Sequence, residues 1–166
     1  MIATQNPYEQ KGVFELPESQ LDRFLFRIHL QYGSVEDELA MLALPRRGVS
    51  PDVLSDVTPL LGEQGVLLVQ DAADAVEVPD DVARAAVTVV RITRNVPGVV
   101  LGGGPRATIH VLVAAKARAL LAGRGTVTAE DVFEMALEAL PHRLLGDVDQ
   151  REAAARAVDE ARALLL

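Results

Sequence analysis

Helix punctuation recurs along this chain from Ser34 to its end, and it constrains the fold more than any other feature. SVEDELAMLAL opens with Ser34 as N-cap and acids in the first turn, where they complement the helix dipole. Ser50-Pro51-Asp52 predicts a second helix start, followed by a helix over 63–75 with Val66, Leu67, Val69 and Ala73 on its apolar face. Pro79 starts a longer helix, PDDVARAAVTVVRITRN, in which Val82, Ala86, Val89 and Val90 recur near helical spacing and Arg94 and Asn95 lie at the end. After the loop PGVVLGGG, Pro105 occupies the first position of PRATIHVLVAAKARALLAG. The apolar face expected there is Ile109, Leu112, Val113 and Leu120, with Gly123 just past the end. VTAEDVFEMALEAL begins with a capping box between Thr128 and Asp131, and 147–166 reads as a final Ala/Arg/Glu helix.

The first 32 residues follow a different pattern. Residues 1–5 read as a strand ended by Asn6-Pro7, because proline cannot donate to a ladder. A loop over 8–15 leads to a short helix in ELPESQLDRF, with Pro17 in its first turn, and then to the alternating run FLFRIHL at 24–30. The expected organisation is a strand-bearing leader over 1–32, a helical domain over 33–146 and a C-terminal helix over 147–166. The fold class is therefore mainly α, with a short strand-containing remnant in front. The core must come from Ala, Val and Leu: 49% of residues are hydrophobic, only 4% are aromatic, and there is no tryptophan. Small aliphatics suit helices packed at close approach.

Composition also narrows the chemistry. A net charge of −8 argues against general nucleic-acid binding, whose affinity comes mainly from phosphate neutralisation. There are no cysteines, and His29, His110 and His142 are too scattered for a metal constellation; His110, inside a helix, reads as packed or half-exposed. No apolar run of membrane-spanning length occurs, so no membrane insertion is expected and the cytoplasm is the expected compartment.

Three residues could carry chemistry. Asn6 ends the leader strand with an amide able to hold a water or a phosphate oxygen, although Asn before Pro is also a common turn former. Arg23 ends the short helix and could be presented to a phosphate on another chain, or pair locally with Glu18 or Asp22. Arg106 follows Gly102-Gly103-Gly104 and Pro105, at the second position of a helix, where a cation opposes the dipole. An anion bound at that terminus would explain it; a flexible loop with a solvated arginine is the alternative. The phosphate cradle itself is missing: no GxxxxGK[ST] occurs, no hydrophobic strand ends in paired acids for Mg²⁺, and the triple glycine lacks the surroundings of a dinucleotide fingerprint.

ATQNPYEQKGVFELPESQLDRFLFRIHLQYGSVEDELAML resembles, almost position for position, the second half of the ATPase core in the MoxR family of AAA+ proteins. The similarity continues through the lid-domain run VVRITRNVPGVVLGGGPRATIHVLVAAKARALLAGRGTVTAEDV and covers residues 2 to about 145. The resemblance implies the end of an α/β ATPase core followed by a helical AAA+ lid. By it, Asn6 matches the sensor-1 asparagine that helps position the attacking water. Arg23 matches the arginine finger that reaches the neighbouring subunit's nucleotide, and Arg106, preceded by Gly104 and Pro105, matches the sensor-2 arginine that contacts nucleotide phosphates from within the subunit.

The implied cofactors of the whole protein are ATP and Mg²⁺, with none expected on this chain. Its implied partners are other subunits of a ring and proteins with a von Willebrand A domain, which such ATPases remodel or mature. Two departures matter. Gly104 stands where the family usually has serine, removing a capping hydroxyl, and the Walker A and Walker B groups are absent. The chain is therefore expected to be the C-terminal part of such an ATPase, unable to hydrolyse ATP alone, and to self-associate through its leader strand. A nucleotide-independent helical interaction module and the lid of a magnesium-chelatase-like or replicative-helicase ATPase are the alternatives; the ATQNP and GGPRA contexts favour MoxR.

Overall fold

A computed structural model describes residues 2–5, 16–43, 46–47, 50–51, 58 and 60–165. Among the described residues three helices precede the core: α1 (Glu18–Leu21), α2 (Val35–Ala43) and α3 (Glu63–Asp74). None of them buries a residue. Ser34 caps α2 as expected: its hydroxyl accepts from the Asp37 amide at 3.1 Å while the Asp37 carboxylate accepts from the Ser34 amide at 2.9 Å.

The core lies in the second half of the chain, built by α4 (Asp80–Ile92), α5 (Pro105–Leu121), α6 (Ala129–Ala139) and α7 (Gln150–Leu165). α6 is packed centrally, touching α4, α5 and α7. Its Phe133 is fully buried, in one hydrophobic cluster with small residues including Ala86, Val89, Ala115, Ala136, Ala154 and Ala157. The predicted mainly α fold and its Ala/Val core are what the structure shows. The predicted Thr128–Asp131 capping box closes the start of α6, with both of its reciprocal bonds present.

Five local expectations differ. Residues 2–5 are exposed and form no strand, and nothing among the described residues pairs with them. A strand gains its stability from ladder hydrogen bonds, so an apolar segment without a neighbour has no reason to become one. Of the expected helix start Ser50-Pro51-Asp52, Ser50–Pro51 forms β2, antiparallel to β1 (Arg46–Arg47), and Asp52 with the residues to 57 lies outside the described residues. Within the 97–104 loop, Val99–Leu101 forms β3, paired with β4 (Leu145–Gly146). On α3, Val66, Leu67 and Val69 of the expected apolar face are exposed, while Ala73 is partly buried.

On α5 the buried face is Ala107, Val111, Ala114, Ala115 and Ala119, while Ile109 and Val113 are exposed. Alanine spacing, rather than the larger aliphatics, marks the seam where two helices come close, because the smallest side chains allow the shortest interaxial distance. Of the four residues expected on the inner face, Leu112 and Leu120 are partly buried against the core, while Ile109 and Val113 are not.

Candidate functional site

The site forms where the leader meets the helical domain. Past α4, the Thr93 hydroxyl accepts from the Gly103 amide at 2.9 Å, and Arg94 Nε donates to the Gly103 carbonyl at 2.9 Å. A Cβ at Gly102 would stand 2.7 Å from the Arg94 backbone, so the glycine permits a close approach no other residue could make. This packing fixes the entry to α5. Gly104 is the N-cap, Pro105 sits in the first turn, and no side chain caps the helix, so its start offers amides to an anion.

Arg106 projects from that first turn, and the structure supplies it with an anion from within the chain. Its guanidinium donates to Asp22 Oδ2 at 2.7 Å. The other carboxylate oxygen of Asp22 accepts from Arg143 Nε at 3.1 Å. One carboxylate thus bridges an arginine whose side chain is 45% exposed and another that is 1% exposed.

Arg143 belongs to the 3-10 turn Pro141–Arg143 between α6 and β4. Its Nη2 donates to the Asp22 carbonyl at 3.1 Å and also to the Phe24 carbonyl, and Nη1 donates to Leu25 at 3.3 Å and to the Ala139 carbonyl. His110 Nδ1, one helical turn beyond Arg106, also contacts Nη2. The neighbouring His142 bonds through Nε2 to the Phe24 carbonyl at 3.1 Å. Since a carbonyl only accepts, that nitrogen carries the proton, leaving Nδ1 bare and, among the described residues, without a partner.

Burial sets the charges here. His142 is pushed down to about 4, chiefly by burial and secondarily by the Arg143 charge, so it is neutral at physiological pH. His110 is lowered for the same two reasons. Burial also lowers Arg143, with the Asp22 carboxylate opposing that shift. With both imidazoles neutral, Arg106 and Arg143 face a single carboxylate, leaving a locally cationic site able to receive a phosphate or carboxylate group at Arg106.

Arg23 lies beside this network and outside it. Asp22 serves Arg106 and Arg143, and Arg23 pairs with neither Glu18 nor Asp22; its side chain is exposed. Asn6 lies outside the described residues. The sequence reading singled out Arg106 and Arg23 but passed over Asp22, His110, His142 and Arg143 as members of a site. One signal was available: Arg106 and His110 are four apart and so share a helix face. The Pro141-His142-Arg143 turn offered no spacing that linked it to residues more than a hundred positions earlier.

Among the described residues no cluster of three His, Asp or Glu side chains could hold a metal ion, and no helix is long and apolar enough to cross a membrane.

Comparison with known proteins places these features in one family. Residues 91–164 match the AAA lid domain, and residues 1–26 match the model for the ATPase family associated with various cellular activities. An uncharacterized protein of Bacillus subtilis, YeaC, is 37% identical over 145 residues, covering 87% of this chain and 44% of the relative. The chaperone MoxR1 of Mycobacterium tuberculosis is 36% identical over 154 residues, covering 87% of this chain and 40% of the relative. A crystal structure of an inferred ATPase from Cytophaga hutchinsonii superposes with a TM-score of 0.81 at 26% identity, over 93% of this chain and 51% of that one. The chain spans less than half the length of these curated relatives. It belongs to the MoxR family of AAA+ ATPases and carries the end of the ATPase core together with the helical lid.

Proposed function

We propose that this chain supplies the lid and the trans-acting half of an ATP-hydrolysing site in a ring-forming MoxR-type ATPase that remodels or matures partner proteins. The observation that carries the reading is the pairing of Arg106 with Asp22 beside an exposed Arg23 that makes no ion pair among the described residues. In it, Arg106 at the uncapped start of α5 exchanges Asp22 for a nucleotide phosphate within its own subunit, and Gly104 and Pro105 let that phosphate approach the helix terminus. Arg23 reaches the nucleotide of the adjacent subunit, where a guanidinium stabilises the charge that develops on the transferring phosphoryl group. Asn6 orients the attacking water. ATP and Mg²⁺ are held by Walker groups outside these residues, so the chain alone does not turn ATP over. Proteins with a von Willebrand A domain are the partner class, and the cytoplasm is the compartment.

Titration calorimetry of the chain with ATP and Mg²⁺ tests the first part: binding no tighter than about millimolar is expected of a few exposed phosphate contacts. A micromolar constant would overturn it. Within an intact ATPase carrying this sequence, Arg23→Ala abolishes hydrolysis while sparing nucleotide binding. Turnover left whole in Arg23→Ala would remove the trans role.

A further inference from the structure

We propose that Arg143 is a positioning residue for Arg23, clamping the turn that carries it onto the lid, and that Asp22 ties this clamp to Arg106; the proposal rests on the roles of Arg23 and Arg106 given above. Burying a guanidinium is costly unless its five N–H groups are satisfied. Those of Arg143 are directed largely at a segment about 120 residues away in sequence. From one planar group it binds the carbonyls of Asp22, Phe24 and Leu25, and His142 binds that of Phe24 as well.

Residue 23 is thereby held between two anchored neighbours, and its own amide donates to the Gln20 carbonyl at 3.1 Å. The backbone is fixed on both sides while the side chain stays exposed, which suits a group that must be offered to another molecule at a set height and angle. Displacing such a group by about 1 Å can cost on the order of a hundredfold in rate.

The carboxylate of Asp22 adds a coupling. Its Oδ1 is engaged by Arg143 and its Oδ2 by Arg106. An anion that takes Arg106 must displace Oδ2, leaving Asp22 wholly to Arg143. Occupation of Arg106 by an anion therefore frees this side chain for the hold on the Arg23 turn, so the two events favour one another.

Arg143→Lys keeps the charge and loses the planar fork, so it separates positioning from charge. Hydrogen–deuterium exchange of this chain is expected to quicken roughly tenfold or more over residues 20–27 in Arg143→Lys, with α4 to α6 unchanged. In an intact ATPase carrying the sequence, kcat should fall by at least about tenfold with KM for ATP within about twofold, since an interaction realised only in the transition state is lost. Unaltered exchange over 20–27, or unaltered kcat, overturns the proposal. Should Arg143→Lys lose its helical signal, Asp22→Asn decides, because its side chain is partly exposed and its loss leaves the core intact: faster exchange over 20–27 supports the clamp, and wild-type exchange overturns it. Arg23→Ala with full turnover would instead refute the proposed function, while the exchange result still reads the clamp alone.

Discussion

Acidification to pH 5 should weaken this fold by a predictable amount through His142. The imidazole is buried, 5% exposed, and sits against Arg143 with Arg27 nearby. Its pKa falls from 6.5 when unfolded to about 4 in the fold. The unfolded chain therefore binds the extra proton first. The stabilisation is fully present above pH 6.5 and is lost as pH falls from there through 4. Linkage over those two values gives a loss of about 2 kcal/mol at pH 5 and about 3 kcal/mol once both states are protonated. His110 is lowered as well and adds in the same direction, whereas Asp22, facing both rings, favours their charged forms and limits the effect. Carboxylates with depressed values act only below about pH 4, so the window between 4.5 and 6.5 isolates the histidines. The assay is urea unfolding followed by circular dichroism at half-unit intervals from pH 7.5 to 4.5. In wild type the unfolding free energy should fall by about 2 kcal/mol from pH 7 to 5, and His142→Gln should lose most of that slope. Equal slopes in the two proteins, or an NMR titration of His142 near 6.5, would falsify the argument.

Two further perturbations test the lid. Asp131 is fully buried; it accepts from both guanidinium nitrogens of Arg124 at 2.6 Å, from Arg118 at 2.5 Å and from the Thr128 amide at 2.8 Å, and the Arg124 bond in particular holds its carboxyl well below the usual range. Asp131→Asn keeps a cap acceptor but leaves Arg124 without its carboxylate and Arg118 with Glu134 alone; because both arginines can partly re-solvate, we expect a loss of about 2 kcal/mol in urea unfolding at pH 7, shrinking below about pH 4 as the unfolded wild-type chain takes up a proton on Asp131 that the folded one does not. Gly102→Ala forces a Cβ onto the Arg94 backbone and should cost about 1–3 kcal/mol while shifting the amide resonances of Gly103 and Arg106; an unchanged spectrum would mean the loop is not held as described.

Local signals were legible in the sequence wherever the interaction is short-range. Ser34 with Asp37, Thr128 with Asp131, Pro105 at the start of α5 and Gly123 with its φ of +71° all act within one turn, and all stand where the sequence puts them. What the sequence hid is long-range. The β3–β4 pair joins segments more than forty residues apart, and the Asp22–Arg106–Arg143 network depends on how the leader docks. The buried side of α5 was only partly legible, through Leu112 and Leu120, for another reason: alanine scores as weakly apolar, yet packing distance gives it the inner face. Arg106 could be singled out because its position opposes the helix dipole, but the anion that resolves the conflict is Asp22, a residue with no pattern of its own.

The alanine seams of α5, α6 and α7 have a mechanical consequence. An alanine has no χ torsion, so a seam built from Ala107, Ala115, Ala119, Ala136, Ala154 and Ala157 contains no side chains that can rearrange to absorb strain. Rotamer freedom in this core therefore belongs to the few longer side chains of the same cluster, such as Val111, Val132, Phe133, Leu140 and Val158, while the alanine faces have none to give.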